Sequence, residues 1–184
     1  MADSLVFTVI GPDRPGLVGR LAATVAEYDG NWLESRMAVL AGHFAGVVLA
    51  TVPEAKADAL RRALMALERE GLSVVVEAAP GAAPPRAWRR VRLEVVGQDH
   101  PGIVRDIARA LSERAVNIAE METERSTAAM SAEAMFRLVA DIELPETIAT
   151  DELREALEVL AGDIMVEVDL APEEAGPGPA ERTV

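Results

Sequence analysis

An internal repeat is the feature that most constrains the fold of this 184-residue chain. The segment Gly11-Pro-Asp-Arg-Pro-Gly-Leu-Val18 returns 86 residues later as Gly97-Gln-Asp-His-Pro-Gly-Ile-Val104, without a gap. Three residues beyond it recur at the same offset: Glu27 as Glu113, Asn31 as Asn117 and Glu34 as Glu120. A repeat of this length predicts one small domain built twice. Because a turn and its surroundings match best, we expect function to reside at the turn.

Composition narrows the class of protein. Half of the residues are hydrophobic and 27% are charged, as in ordinary globular proteins. The absence of cysteine excludes disulfides and thiolate chemistry, and it fits a reducing cytoplasm. The first predicted strand begins near Leu5, so we expect no secretory signal peptide before it. No apolar run reaches the ~18 residues of a membrane-spanning helix, so we expect a cytoplasmic protein without a membrane partner.

The net charge of −13 bears on the choice of partner. An acidic surface repels a phosphate backbone, so we expect no direct nucleic-acid partner. The only basic cluster, Arg86, Arg89 and Arg90 beside Trp88, falls between the repeats. A solvated linker is favoured there over contact with an acidic partner.

Hydrophobic periodicity predicts six elements in each half. In the first half these are a strand 5–10, a helix opened by Pro15, a hairpin 31–40 and 44–52 around Ala41-Gly42, a helix 55–70 ended by Gly71, and a strand 72–77. In the first helix one buried side is predicted to carry Leu17, Val18, Leu21 and Val25, and in the second copy Ile103, Val104, Ile107 and Leu111.

The second half repeats this order with one difference. The offset rises from 86 before the hairpin to 92 after it, so six extra residues are predicted around 126–131. The later elements are then a strand 136–144, a helix from about Asp151 and a strand 164–170. Without glycine, the longer hairpin loop is expected to be more mobile than the first.

These elements predict the domain organisation. Domains are expected at 4–78 and 90–170, joined by an alanine- and proline-rich linker 79–89 and followed by a disordered tail 171–184. Each domain is β-α-β-β-α-β, which predicts an α+β fold of two tandem ferredoxin-like units, each an antiparallel sheet with helices on one face. Units this small are expected to pack together or against a second chain, and we expect a homodimer.

The turn sequence Asp-Arg-Pro-Gly-Leu-Val, with asparagine about fifteen residues beyond the glycine, resembles that of ACT domains. The segment Asn31-Trp-Leu-Glu-Ser-Arg-Met37, with Phe44 after a short glycine turn, resembles the family of glycine cleavage system transcriptional repressors. The resemblance covers residues 4–170 and implies regulatory modules that bind amino acids. For that family it implies glycine as the signal and a DNA-binding activator as the protein partner.

The chemistry of the turn agrees with a small amino acid as ligand. Free N–H groups at a helix start receive a carboxylate, and the helix dipole favours negative charge there. An aspartate before the helix can meet an amino group, and an asparagine offers both a donor and an acceptor. We expect the asparagine to open the next strand beside the turn. The candidate ligand-binding residues are Gly11, Asp13, Pro15, Gly16, Leu17, Val18, Asn31, Gly97, Asp99, Gly102, Ile103, Val104 and Asn117.

Three of these residues also have a purely structural explanation. Asp13 is equally explained as a helix cap, Gly16 by close packing of helix on sheet, and Asn31 by strand entry. His43 and His100 occupy non-equivalent positions and are expected at the surface rather than on a metal. No catalytic triad, phosphate loop or zinc spacing is present, so no enzyme activity, cofactor or metal is predicted.

Two functions remain open from the sequence. The first is a regulatory sensor that binds a small amino acid, glycine or serine-like, and controls a partner transcription factor. The alternative is a ligand-free ACT module for protein interaction or dimerisation, since Val6 and Ile10 make the first sheet's outer face more apolar than the second's. The turns differ at Pro12-Asp13-Arg14 against Gln98-Asp99-His100, so the two sites are expected to be non-equivalent, with the first favoured.

Overall fold

A computed structural model describes residues 2–79, 88–127, 134–160 and 171–172. The chain divides into two compact units, Met1–Pro84 and Pro85–Val184. The middle of the predicted linker, the predicted strand 164–170 and most of the predicted tail lie outside the described residues.

The first unit has the predicted order of elements. They are β1 (Ala2–Pro12), α1 (Leu17–Glu27), β2 (Asn31–Leu40), β3 (His43–Pro53), α2 (Glu54–Ala66) with a 3-10 turn Leu67–Glu70, and β4 (Ser73–Ala78). The four strands form one antiparallel sheet in the order β2-β3-β1-β4. The predicted fold class is therefore confirmed for this half.

Alternation along β1 places the core on one side of the sheet. Leu5, Phe7 and Val9 are buried and pack with residues of both helices, among them Leu21 and Leu60. The intervening side chains point to the other side, which no helix of this unit covers. The sheet is thus a two-sided layer with a helical face and an outer face.

The β2–β3 hairpin turns through two residues, as predicted. Ala41 has φ 49° and Gly42 has φ 76°, so both central residues are left-handed. Two consecutive positive φ angles define the turn type whose twist matches that of the flanking strands. The turn brings Gly42 beside the end of β1, where the candidate site begins.

The second unit repeats the arrangement. Its elements are β5 (Trp88–Gln98), α3 (Ile103–Ser112), β6 (Asn117–Thr127), β7 (Ala134–Pro145), α4 (Thr150–Leu160) and β8 (Ala171–Pro172). The sheet order is β6-β7-β5-β8. Strands β5 and β8 extend into the predicted linker and tail, because Trp88 pairs with Pro145 and Ala171 pairs with Arg92.

Of the extra residues predicted around 126–131, only Ser126 and Thr127 are described, and both belong to β6. The longer, mobile loop predicted there lies outside the described residues. Leu40 pairs with His43, which leaves two residues in the first hairpin loop. The equivalent pair in the second unit is Ser126 with Met135, and one further pair, Thr127 with Ala134, follows it before the described residues end. The difference in offset therefore leaves the register of the strands unchanged.

Candidate functional site

The first turn joins β1 to α1 and is tied to the neighbouring hairpin. The backbone N–H of Asp13 donates to the carbonyl oxygen of Gly42 at 2.9 Å. Gly16 follows with φ 92°, and the N–H of Arg20 donates to its carbonyl at 2.9 Å as the first helical hydrogen bond. The start of the helix is therefore fixed against the end of the sheet.

The helix begins two residues later than the sequence predicted. Pro15 lies in the exposed turn, and α1 starts at Leu17 because a left-handed glycine precedes it. Val18 and Val104 were predicted on the buried side, but they are 47% and 38% exposed. Both follow a buried residue directly, and a rotation of about 100° per residue turns them outward.

Gly11 is a glycine because of the fold's own packing. A Cβ atom there would lie 2.6 Å from the carbonyl oxygen of Gly71 and 2.7 Å from Cδ2 of Leu72. The absence of a side chain at Gly11 thus allows the segment that leads into β4 to pack against it. Gly11 is buried, as is its counterpart Gly97 on β5, and neither presents a surface to a ligand.

The exposed part of the first turn offers a carboxylate that could bind a ligand's ammonium group and an uncapped helix start that could bind a ligand's carboxylate. Helix α1 has no side-chain cap, and within the described residues the N–H groups of Leu17 and Val18 donate to no acceptor. No other atom comes within 4 Å of a Cβ placed on Gly16, so close packing does not explain this glycine. The carboxylate of Asp13 is exposed and makes no hydrogen bond or ion pair in that part of the chain. Asp13 therefore does not cap the helix.

A charged cluster holds the other side of this turn. Arg14 donates from Nη2 to the carbonyl oxygen of Glu70 at 2.7 Å. Arg20 pairs with the Glu70 carboxylate at 2.8 Å and also donates to Thr24 Oγ1. The hydrogen bond from Arg20 lowers the pKa of Glu70, and the same bond raises the pKa of Arg20. These cations are thus engaged by Glu70 and leave Asp13 to other partners.

The second turn has the same backbone but different surroundings. The N–H of Asp99 donates to the carbonyl of Ala134 at 2.8 Å, and Gly102 has φ 97°. Here the carboxylate of Asp99 pairs with Nε of Arg125 at 2.7 Å. The N–H of Ile103 donates to the carbonyl oxygen of His100 at 3.3 Å. The aspartate carboxylate and the N–H of the first helical residue, which have no partner in the first turn within the described residues, are therefore both paired in the second turn.

The structure separates both asparagines from their turns. Asn31 opens β2 opposite Thr51, and Thr51 pairs with Ser4 near the start of β1. The turn follows Pro12 at the other end of β1, about 26 Å away at ~3.3 Å per strand residue. The expectation that Asn31 lies beside the turn is therefore wrong within one unit. Asn117 is placed the same way and donates from Nδ2 to Glu143 at 2.9 Å.

Sequence reasoning missed three residues that set the character of these sites. In the second unit Arg125 and Glu143 bind the aspartate and the asparagine that the repeat retains. In the first unit Glu70 binds the arginines near the turn. A signal was present, because the repeat aligns Arg125 with Val39 and Glu143 with Thr51. Inferring the contacts of these residues from the sequence requires the strand register as well as the six-residue shift in the offset of the repeat.

Other kinds of site find no support in the described part of the chain. No group of three or more histidine, aspartate or glutamate side chains there is placed to hold a metal ion. Among the helices of residues 2–79, 88–127 and 134–160, none is long and apolar enough to cross a membrane.

Comparison with known proteins identifies the domains. The ACT domain family matches twice, over residues 3–77 and over residues 91–161. A UPF0237 protein of Methanosarcina mazei is 35% identical over 76 residues, which are 41% of this chain and 82% of that protein. A UPF0237 protein of Methanosarcina acetivorans has the same identity and coverage.

Two crystal structures resemble the whole chain. An unknown protein from Galdieria sulphuraria has a TM-score of 0.82 at 28% identity, over 94% of this chain and 99% of that one. A protein provisionally named a glycine cleavage system transcriptional repressor has a TM-score of 0.69 at 19% identity, with the same coverage. The second likeness is one of fold. The repeated β-α-β-β-α-β units and the two family matches together show that this chain belongs to the ACT-domain family, as a tandem of two ACT domains.

Proposed function

We propose that this chain is a regulatory protein that binds a small amino acid at the first turn and controls a partner transcription factor. Glycine is the proposed ligand, and a DNA-binding activator of glycine cleavage genes is the proposed partner. The observation that carries the proposal is the free carboxylate of Asp13 beside the uncapped start of α1. The role is regulatory, and no catalytic step is assigned to it.

The chemistry of the first turn fits a zwitterion. The N–H groups of Leu17 and Val18 and the positive end of the helix dipole would bind the ligand carboxylate. Asp13 would accept hydrogen bonds from the ligand ammonium group, and a charge-assisted bond of this kind is stronger than a neutral one. A ligand with no side chain meets no steric demand in the open space around Gly16 and Gly19.

Titration calorimetry with glycine, serine and phenylalanine tests the proposal. Asp13→Asn keeps the side chain's size but removes its charge, and we expect about tenfold weaker binding or more, from the loss of a charged hydrogen bond. Asp58→Asn is the matched control, because Asp58 is an exposed aspartate on α2 of the same unit. Unchanged binding by Asp13→Asn, or absence of binding by the wild type, would refute the site.

Asn31→Ala tests whether this asparagine contributes to the same site. Since Asn31 lies at the far end of the sheet, we expect no change in affinity if one unit forms the whole site. A loss equal to that of Asp13→Asn would mean that a second copy of the domain supplies the asparagine.

A second candidate function is supported by the outer face of the first sheet. Val6, Ile10, Val47, Leu49 and Val75 point to that side, and three of them are exposed hydrophobics in the first unit. An apolar face of this kind marks an interaction surface. The proposed occupant is a second copy of this chain, which would form a homodimer, and light scattering of variants on this face tests it.

A further inference from the structure

We infer that Arg125 weakens amino-acid binding at the second turn by holding the carboxylate of Asp99, so that the first turn, at Asp13, is the preferred site. The inference rests on the proposed function, because it concerns the same kind of ligand at the second copy of the turn. The ion pair would make the protein bind the amino acid at the first turn in preference to the second.

The contact that weakens binding at the second turn is a direct ion pair. Nε of Arg125 on β6 lies 2.7 Å from Oδ2 of Asp99, whose side chain is only 23% exposed. A guanidinium at this distance occupies the position that a ligand ammonium group would take on the same carboxylate. An incoming amino acid must therefore displace the protein's own cation.

The first unit lacks this cation at the equivalent position. In each unit a row of three residues crosses the sheet, Gly97, Phe136 and Arg125 in the second and Gly11, Phe44 and Val39 in the first. Val39 is apolar and exposed, so Asp13 has no internal competitor from β2. One substitution between the copies thus separates an open carboxylate from a paired one.

In the second turn one N–H that would receive the ligand's carboxylate is engaged, and a side chain fills the space beside Gly102. The N–H of Ile103 donates to His100, and the guanidinium of Arg105 lies 2.9 Å from the position of a Cβ on Gly102. Arg105 is held there by Asp106 in the first turn of α3. Its counterpart in the first unit is Gly19, around which there is open space.

The asparagines differ between the units in the same direction. Asn117 donates to the carboxylate of Glu143, while the residue opposite Asn31 is Thr51 and the amide of Asn31 makes no hydrogen bond in the described residues. The aspartate of the turn and this asparagine are thus both paired internally in the second unit, whereas in the first unit neither has a polar partner among the described residues.

The size of the effect follows from the exposure of Arg125. An exposed ion pair changes an equilibrium by up to about fivefold. Removing Arg125 should therefore strengthen binding at the second turn by about fivefold. Placing an arginine at position 39 should weaken binding at the first turn by a similar factor.

Amide resonances report each turn separately, so nitrogen-15 NMR titration of the full chain with glycine is the test. Gly16 and Leu17 report the first turn, and Gly102 and Ile103 report the second. We expect Arg125→Val to lower the Kd read from the second pair about fivefold, and Val39→Arg to raise the Kd read from the first pair about fivefold. Arg109→Val, which removes an exposed arginine paired with Glu113, is the matched control.

The outcomes separate this inference from the proposed function. If the first turn responds in the wild type and Arg125→Val leaves the second turn within twofold of its wild-type Kd, the inference fails alone. If no wild-type amide responds but the second turn of Arg125→Val does, the proposed first site fails, whereas the effect of Arg125 on the second turn is confirmed. Equal binding at both turns of the wild type would also overturn the inference.

Discussion

Glycines around the first turn are required for different physical reasons, and substitution by alanine should separate them. At Gly16 the open space leaves only the cost of a left-handed alanine, about 1–2 kcal/mol. At Gly11 the new methyl would meet the backbone oxygen of Gly71, which cannot yield cheaply, so we expect a loss of about 3 kcal/mol. At Gly19, inside α1 with free space, alanine should add about 0.5–1 kcal/mol.

Urea denaturation measures this series, with Gly19→Ala as the internal control for adding a methyl group. The expected order of unfolding free energy is Gly19→Ala, wild type, Gly16→Ala and Gly11→Ala, from highest to lowest. A neutral Gly11→Ala would show that the ends of β1 and β4 are not tightly packed.

The Arg20–Glu70 pair should make stability depend on pH in the acidic range. The pKa of Glu70 is lowered in the folded state, chiefly by the hydrogen bond from Arg20, so the unfolded chain binds its proton more readily. The stabilisation is fully present above the ordinary value of 4.5 and is lost as the pH falls through the lower folded pKa.

Thermal unfolding between pH 2.5 and 7 checks this prediction. Glu70→Gln should lower Tm at pH 7 and flatten the decline of Tm below pH 4.5. Glu77→Gln, at an exposed glutamate on β4, should leave the slope of the wild type unchanged. Parallel curves for wild type and Glu70→Gln would argue against the pair.

Individual residues also show where sequence reasoning failed. Asn31 is close to the turn along the chain, yet α1 lies between them and spans about 16 Å at 1.5 Å per residue. The helix therefore returns the chain to the opposite end of the sheet. The pairing of Arg125 with Asp99 was missed for a related reason, since it joins β6 to the turn that follows β5, and these two strands are not adjacent in the sheet.

Elements were more predictable than side-chain partners because each depends on local pattern. The short apolar run from Leu5 to Ile10 identifies β1, and the left-handed Gly71 ends the second helical segment as expected. Both signals act within a few residues. A site, in contrast, depends on register across strands and on which end of the sheet each connection reaches.

The first hairpin offers a gain in stability at the level of the element. Its turn requires positive φ at both central residues, for which Asn-Gly is preferred, whereas the chain has Ala41 with φ 49°. Asparagine tolerates this conformation better than alanine, so Ala41→Asn should raise the free energy of unfolding by about 0.5–1 kcal/mol.

Equilibrium unfolding in urea measures the gain. Ala38→Asn is the matched control, because Ala38 is an exposed residue inside β2, where asparagine is disfavoured and should lower stability slightly. A loss of stability in Ala41→Asn would mean that the turn does not hold the left-handed geometry.

For the molecule as a whole, duplication has produced two sheets whose outer faces differ in chemistry. In the second unit Arg137 pairs with Glu94 and Arg92 with Asp141 across that face. In the first unit the four equivalent positions are uncharged, being Val6, Thr8, Ala45 and Leu49, and Val75 beside them is 56% exposed. The charges of that face lie on the edge strands, where Arg36 pairs with Glu34 on β2. Because charged groups are costly to desolvate, the second face suits water and the first suits a partner.

Val47 and Val139 occupy equivalent positions on these two faces, so they provide a matched test of self-association through the first sheet. Glutamine at position 47 would bury an amide in the proposed apolar interface at a cost of about 1–3 kcal/mol, which should raise the dimer dissociation constant about tenfold or more. Val139→Gln should leave it unchanged, because that side chain lies among Glu120, Glu122 and Asp141. Light scattering over a dilution series measures both constants, while circular dichroism verifies the fold. A dimer that persists equally in both variants would place the interface elsewhere.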